Sequence, residues 1–66
     1  MKTRIKELRK ANKVSQEELA LAVGTTRQTI TSIETEKYIA SLPLAYRIAN
    51  YFKLPIEDVF MLEEEL

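Results

Sequence analysis

The chain has 66 residues with ten basic and ten acidic side chains, no cysteine and no histidine, so its formal net charge is zero. A chain this short forms one domain and buries only about 60% of its unfolded surface, so any function must lie on that surface. The missing thiols and imidazoles exclude disulfides and the usual zinc, haem and imidazole chemistry, which leaves carboxylates as the only cation ligands. We therefore expect no enzyme, no cofactor and no metal site.

The location of the protein is predicted from what the sequence lacks. Its uncharged runs are far shorter than the roughly 20 apolar residues of a membrane span. The first ten residues, MKTRIKELRK, lack the apolar core of a signal peptide. Absence of cysteine fits a reducing interior. These features predict a cytoplasmic, soluble protein with no membrane partner.

The zero net charge hides an uneven distribution along the chain. Residues 1–37 hold eight basic and five acidic side chains, giving +3, and the remaining residues hold two basic and five acidic ones, giving −3. Helical proteins often separate charges without a functional reason. The basic half of the chain is nevertheless compatible with a nucleic-acid partner, because phosphate is attracted by local positive charge and not by the net charge of the whole chain.

The first predicted helix covers residues 3–13. Ile5 and Leu8 recur at helical spacing, Arg9 follows on the same side, and basic residues fill most of the remaining positions.

The start of the second helix carries the strongest local pattern in the sequence. Ser15 and Glu18 fit a capping box, in which the serine hydroxyl and the glutamate carboxylate each accept from the other's backbone amide. Val14 and Leu19 occupy the positions of the accompanying hydrophobic staple. Gly24 is placed to end the helix in the left-handed conformation, where a Cβ would be strained.

A third helix begins after a very short turn, with Thr26 as its cap, and ends near residue 35. Two helices joined by a tight turn containing glycine form a helix-turn-helix. Steps of 100° per residue place Ile30 and Ile33 on an inward face. The opposite face is polar and short, and it consists of Gln28, Thr31, Ser32 and Thr35, flanked by Arg27 and Thr29.

The remaining chain predicts two further helices. Ser41 caps the fourth, and Pro43 is tolerated in its first turn. Its predicted buried stripe consists of Leu42, Ala45, Ile48, Ala49 and Phe52. Pro55 begins a short fifth helix over residues 56–60, with Val59 and Phe60 turned inward. Residues 61–66 are read as helical fray, a tail or a short strand beside the N-terminus.

Residues 16–34, QEELALAVGTTRQTITSIE, resemble the helix-turn-helix of the phage repressor and Cro family, also called the Xre family. The resemblance extends to Arg9 before this segment and to residues 41–42, 48–49 and 56–60 after it. It implies a compact, all-α, five-helix domain like that of lambda repressor, which binds DNA as a dimeric transcriptional regulator. Two departures are Pro55, where the family often has Ser or Thr, and Thr35-Glu36, where it usually has Gly or Asn.

The third helix suits the major groove, where each base pair presents its own pattern of donors and acceptors. Gln28 is the predicted main base reader, since its amide can both donate to adenine N7 and accept from its amino group. Arg27 is open between a guanine contact and a phosphate clamp. Thr31 and Ser32 complete the predicted base contacts. The alternative is that these residues form only a solvated helix face without a binding role.

The predicted phosphate contacts set register and affinity without reading sequence. By resemblance, Gln16 binds a phosphate and braces the reading residue, beside the free amides at the start of the second helix. The other predicted phosphate contacts are Thr26, Thr29, Lys10, Lys13 and Lys37, although each lysine taken singly is also explained as a solubilising charge.

The resemblance also pairs Arg9 with Glu34 as a partly buried structural salt bridge. An acid and base pair for catalysis is the alternative, but no nucleophile accompanies it. The terminal carboxylates Glu63, Glu64 and Glu65 form either a loose cation site or a solvated tail.

A dimer is predicted from apolar residues left over after the inward stripes are assigned. These are Tyr38, Ile39, Leu44, Tyr51, Ile56, Met61 and Leu62. We therefore divide the single domain, residues 1–66, into a helix-turn-helix at about 15–35 and a dimerisation region at about 38–66. A two-fold partner there places two recognition helices about one DNA turn apart and predicts a palindromic operator.

The leading hypothesis is a homodimeric repressor that binds double-stranded DNA in the major groove and blocks polymerase access, with a protein antagonist as one route of regulation. One alternative is an antitoxin that also controls its own promoter, which a neighbouring toxin gene would indicate. Another is a protein-interaction module without DNA binding, which a gel shift lacking sequence preference at low salt would indicate.

Overall fold

The computed structural model describes residues 1–65, with side chains for residues 1–63. Leu66 and the side chains of Glu64 and Glu65 therefore lie outside the described part, and so does most of the predicted terminal carboxylate cluster. The predicted all-α, five-helix fold is confirmed. Its helices are α1 (Ile5–Ala11), α2 (Gln16–Val23), α3 (Arg27–Glu34), α4 (Leu42–Tyr51) and α5 (Ile56–Val59), and a 3-10 helix (Leu62–Glu65) follows them.

The two ends of the chain are joined by backbone hydrogen bonds. Thr3 and Phe60 form an isolated antiparallel bridge, the Arg4 amide donates to the Val59 carbonyl at 2.8 Å, and the Met61 amide donates to the Lys2 carbonyl at 3.0 Å. The predicted terminal pairing is thus present as a single bridge, which ties the start of α1 to the end of α5.

Helix α1 is shorter than the predicted span of residues 3–13. Its last turn closes at Ala11, and Lys13 adopts the left-handed conformation at φ 56°. The Val14 amide then donates back to the Arg9 carbonyl at 2.8 Å. Lysine is uncommon in this conformation, which glycine and asparagine adopt more readily. The sequence therefore has no residue at position 13 that would indicate the end of the helix.

The predicted capping box at the start of α2 is confirmed. The Ser15 hydroxyl accepts from the Glu18 amide, and the Glu18 carboxylate accepts from the Ser15 amide, both at 3.0 Å. The Ser15 amide, and after it the Ser15 hydroxyl, hold the pKa of the Glu18 carboxyl below its ordinary value of 4.5. Folding therefore favours the charged form of Glu18.

This pKa shift predicts a pH-dependent contribution to stability. Because the folded pKa is depressed, the contribution is fully present above 4.5 and is lost as the pH falls through the lower folded value. Glu18→Gln keeps an acceptor for the Ser15 amide but cannot titrate. We expect the stability difference between wild type and Glu18→Gln, measured by urea unfolding from about pH 3 to about pH 7, to shrink on the acid side. A difference that stays constant over this range would contradict the assignment.

Gly24 ends α2 in the left-handed conformation, as predicted, at φ 76° and ψ 35°. The Thr25 amide donates to the Ala20 carbonyl at 2.9 Å, which closes the last turn. A Cβ at Gly24 would meet its nearest neighbour, Arg47 Nη1, at an ordinary 3.8 Å. Glycine is therefore required by the backbone conformation and not by lack of space.

One core holds the helices together. Helix α2 packs on α3 and α4, and α4 packs on α5. The largest fully buried side chains are Phe60, Ile5, Leu19, Ile30, Ile33, Ile48 and Val59. The inward faces predicted for α3 and α5 are therefore confirmed.

The predicted buried stripe of α4 is wrong at its first residue. Ala45, Ile48 and Ala49 are buried and Phe52 is half-buried, but the Leu42 side chain is 73% exposed. Helical spacing aligns Leu42 with Ala45, yet burial also needs a neighbouring element, and the first turn of α4 lacks one at that point. Leu42 is instead an apolar side chain in solvent.

Candidate nucleic-acid interface

The turn between α2 and α3 fixes the start of α3. Thr26 caps it, because its hydroxyl accepts from the Thr29 amide at 3.2 Å. The hydroxyls of these two threonines also lie 3.0 Å apart, within hydrogen-bond distance. Both hydroxyls thus serve the helix start, in addition to the phosphate contacts predicted for them.

The faces of α3 lie as the 100° spacing predicts. Ile30 and Ile33 are buried in the core. On the outside, Arg27 and Gln28 are exposed, whereas Thr31 and Ser32 are half-buried. The result is a polar surface on which Arg27, Gln28 and Thr35 are exposed.

Arg9 and Glu34 meet in a bidentate ion pair that joins α1 to the end of α3. The Arg9 Nε to Glu34 Oε2 distance is 2.6 Å, and Nη2 lies 3.0 Å from Oε1. The remaining Arg9 Nη1 donates to the Val14 carbonyl at 3.0 Å. The two side chains are only 11% and 4% exposed. The two side chains satisfy each other's hydrogen-bonding groups across the α1–α3 contact, as the structural role requires.

Gln16 connects this ion pair to the outer face of α3. Its Nε2 donates to Glu34 Oε1 at 3.1 Å, and its Oε1 accepts from the Thr31 hydroxyl at 3.1 Å. The resemblance predicted that Gln16 braces the main reading residue, Gln28. Within residues 1–63, the hydrogen bonds of Gln16 go to Glu34 and Thr31 instead, so the braced side chain on α3 is Thr31.

An open depression of about 420 Å³ lies at the start of α2. It is lined by Arg9, Ser15, Gln16, Glu17 and Arg27. Arg27 is thus brought beside the first turn of α2, where backbone amides are free to bind an anion.

A second depression, of about 270 Å³, lies on the outer face of α3. It is lined by Thr26, Gln28, Thr29, Ser32 and Tyr38. The amides of Lys37 and Tyr38 both donate to the Ser32 carbonyl, at 2.9 and 3.2 Å, and Glu36 is left-handed at φ 64°. This tight return brings Tyr38, which we predicted in the dimer interface, to the edge of the predicted reading face. No glycine stands at this turn to indicate its left-handed conformation.

The predicted lysine contacts, Lys10, Lys13 and Lys37, are all exposed. Lys37 follows α3 directly, whereas the other two lie at the end of α1 and just beyond it. Their exposed ammonium groups can approach a phosphate backbone.

The residues predicted for dimerisation fall into two groups. Tyr38, Ile39, Tyr51 and Leu62 are exposed. Leu44 and Ile56 are half-buried against the core of their own chain, so the premise that they are left over is wrong for these two. Met61 is also half-buried. Sequence reasoning missed three other exposed apolar side chains, which are Leu21, Leu42 and Tyr46.

Between residues 1 and 65, none of the helices combines the length and apolar character needed to cross a membrane. Among the side chains of residues 1–63, no three acidic groups come close enough together to hold a metal ion.

A core-anchored helix, fixed by a tight turn and exposing a shallow polar face, defines the chain as a helix-turn-helix DNA-binding domain. A family model described as helix-turn-helix matches residues 5–59. The chain belongs to this family, in the phage repressor and Cro (Xre) group, and carries the DNA-binding domain of a transcriptional regulator.

Known proteins resemble the chain over almost its whole length. An uncharacterized HTH-type transcriptional regulator of Archaeoglobus fulgidus is 52% identical over 65 residues, which cover 98% of this chain and 92% of the relative. The uncharacterized HTH-type transcriptional regulator YgzD of Bacillus subtilis is 51% identical, with 98% of each chain covered. The crystal structure of the restriction-modification controller protein C.AhdI from Aeromonas hydrophila superposes with a TM-score of 0.80 at 30% identity, covering 86% of both chains.

Proposed function

We propose that the protein is a homodimeric repressor that recognises a palindromic operator by inserting α3 into the major groove. The observation that carries this proposal is the outer face of α3, which is polar, shallow and held in place by the Arg9–Glu34–Gln16–Thr31 hydrogen bonds. Short side chains let a helix approach base edges closely. A recognition helix fixed to its domain loses little conformational freedom on binding.

Base reading and backbone contacts are divided between two surfaces. Gln28 projects from α3 and can make the bidentate contact to adenine, worth about 1–3 kcal/mol of discrimination. Arg27 and the first turn of α2 border the 420 Å³ depression, whose donors suit a phosphate. Lys10, Lys13 and Lys37 add positive charge around this surface.

The salt dependence of binding separates these roles. We expect Lys13→Gln to weaken binding to all DNA sequences alike and to reduce the slope of log affinity against log salt by about 1. Lys2→Gln is the control, since Lys2 is also exposed but lies before the start of α1, where its carbonyl accepts from the Met61 amide. Fluorescence anisotropy titrations at several salt concentrations measure both. An equal change of slope in the two variants would refute the assignment of Lys13.

The homodimer is supported by exposed apolar surface after α3. Leu42 and Tyr46, which are 73% and 60% exposed, are four residues apart and therefore share a face of α4. Ile39, 58% exposed, lies just before that helix. Exposed apolar side chains grouped in this way mark an interaction surface. A two-fold contact through this region would relate two copies of α3 and require a palindromic operator.

Sedimentation equilibrium tests the dimer. The wild-type chain is expected to be dimeric at micromolar concentration, and Leu42→Glu is expected to shift it to monomer by placing a charge in the contact. Leu21→Glu is the control, because Leu21 is equally exposed, at 77%, but lies on α2. A wild-type monomer that binds one half-site at a time would contradict the homodimer. If both variants dissociated equally, the assignment of the dimer contact to α4 would be wrong.

A further inference from the structure

Thr31 makes two hydrogen bonds inside its own chain, although it lies on the outer face of α3. Its hydroxyl donates toward Gln16 Oε1 and toward the Arg27 carbonyl, each at 3.1 Å. The side chain is half-buried, so part of it still faces solvent. A threonine hydroxyl has one proton and two lone pairs.

The direction of these bonds is fixed by charge. The Glu34 carboxylate, paired with Arg9, can only accept, so the amide nitrogen of Gln16 must face it. The amide oxygen of Gln16 therefore faces Thr31, and it too can only accept. The Arg27 carbonyl, the other partner, is likewise an acceptor. Whichever partner takes the proton, the Thr31 hydroxyl points it into the protein and leaves lone pairs on the outside.

We propose that Thr31 acts only as an acceptor toward the major groove and selects an amino-bearing base, adenine or cytosine, on the strand it contacts. Adenine N6 and cytosine N4 are donors there, whereas guanine O6 and thymine O4 are acceptors. A hydroxyl free to rotate can pair with either class. Because the Thr31 proton is already donated inside the protein, the hydroxyl can only accept from the amino group of adenine or cytosine. The keto oxygen of guanine or thymine would face the lone pairs of Thr31 with no proton between the two oxygens. This inference rests on the proposed DNA-binding function.

The neighbouring residue on the same face provides a contrast. The Ser32 hydroxyl makes no hydrogen bond within the described side chains and backbone, so it can rotate and serve as donor or acceptor. The fixed polarity is therefore a property of Thr31 and of the chain of contacts from Arg9 through Glu34 and Gln16, and not of every hydroxyl on α3.

The test compares wild type, Thr31→Val and Thr31→Ser in parallel selections of bound sites from random duplex DNA. Valine keeps a methyl and lacks the hydroxyl, whereas serine keeps the hydroxyl and lacks the methyl. Every base pair contains one amino-bearing and one keto-bearing base, so the preference takes the form of an orientation: read along one strand, one position in each half-site should favour adenine and cytosine over thymine and guanine. We expect this preference in wild type and Thr31→Ser, and its loss in Thr31→Val. The absence of any position that changes in Thr31→Val would overturn the proposal, and so would a changed position that separates A·T from G·C pairs without regard to their orientation. A thymine preference kept by valine and lost by serine would also overturn it, because it would show reading through the methyl.

A second measurement does not depend on the valine variant folding. Where the selected base is adenine, replacing it with purine, which lacks the 6-amino group, should weaken wild-type binding about three- to tenfold. Where it is cytosine, the analogue lacking the 4-amino group serves. An unchanged affinity would overturn the proposal. If the wild-type protein enriched no sequence at all, the proposed function itself would fail, whereas an enriched site that keeps its affinity when the amino group at this position is removed would refute only the role of Thr31.

Discussion

Replacing Arg9 by methionine is expected to lower the free energy of unfolding by about 3–5 kcal/mol. The substitution strands the Glu34 carboxylate, which is only 4% exposed and would keep just the Gln16 amide as a partner. It also leaves the Val14 carbonyl without the Arg9 donor. Urea unfolding monitored by circular dichroism measures the loss directly.

An exposed ion pair in the same protein provides the control for this prediction. Arg4 and Glu7 lie 3.0 Å apart, but their side chains are 41% and 67% exposed. Glu7→Gln is therefore expected to cost less than about 1 kcal/mol. A double variant, Arg9→Met with Glu34→Met, should recover part of the loss, since no charge remains buried. If Arg9→Met and Glu7→Gln had the same effect, the structural role of the buried pair would be refuted.

Replacing Gln28 by alanine is expected to relax specificity at one base pair in each half-site, at a cost of about 1–3 kcal/mol on the preferred sequence. Binding to sequences already altered at that position should change little, because the contact is absent there. Competition titrations with single-base variants of the operator measure this pattern. Asn50→Ala is the control, since Asn50 carries an exposed amide on α4, away from α3. Equal losses on every sequence would refute Gln28 as a base reader.

Local interactions made much of the fold predictable from the sequence. The Ser15–Glu18 capping box, the left-handed Gly24 and the caps at Thr26 and Ser41 each depend on residues within a few positions of one another. The inward face of α3 follows from helical spacing alone. Such features are specified by neighbouring residues and need no knowledge of tertiary packing.

The errors concern features that depend on the rest of the molecule. Leu42 follows the helical pattern of α4 but has no neighbour to cover it, whereas Leu44 and Ile56 find partial cover in the core. Tyr38 reaches the edge of α3 because Glu36 adopts the left-handed conformation, and the sequence has no glycine there to indicate such a turn. Periodicity gives the direction of a side chain, but only the packed structure determines what that side chain meets.

The candidate site shows the same division. The resemblance indicated the Arg9–Glu34 pair, which the structure contains, and a contact of Gln16 with the reading residue Gln28, which Gln16 does not make within residues 1–63. It did not indicate that Gln16 would hold Thr31, because that contact depends on the separation of α2 and α3 and on side-chain rotamers. The polarity assigned to Thr31 follows from this contact and was not accessible from the sequence.

Selection of bound sites from random duplex DNA tests sequence-specific recognition by α3 most directly. The expected result is a two-fold symmetric sequence with half-sites about one helical turn apart, and a parallel selection with Gln28→Ala that loses preference at one position in each half. Recovery of unselected sequence by the folded wild-type protein would contradict the account. So would an enriched sequence that Gln28→Ala and Thr31→Val both leave unchanged.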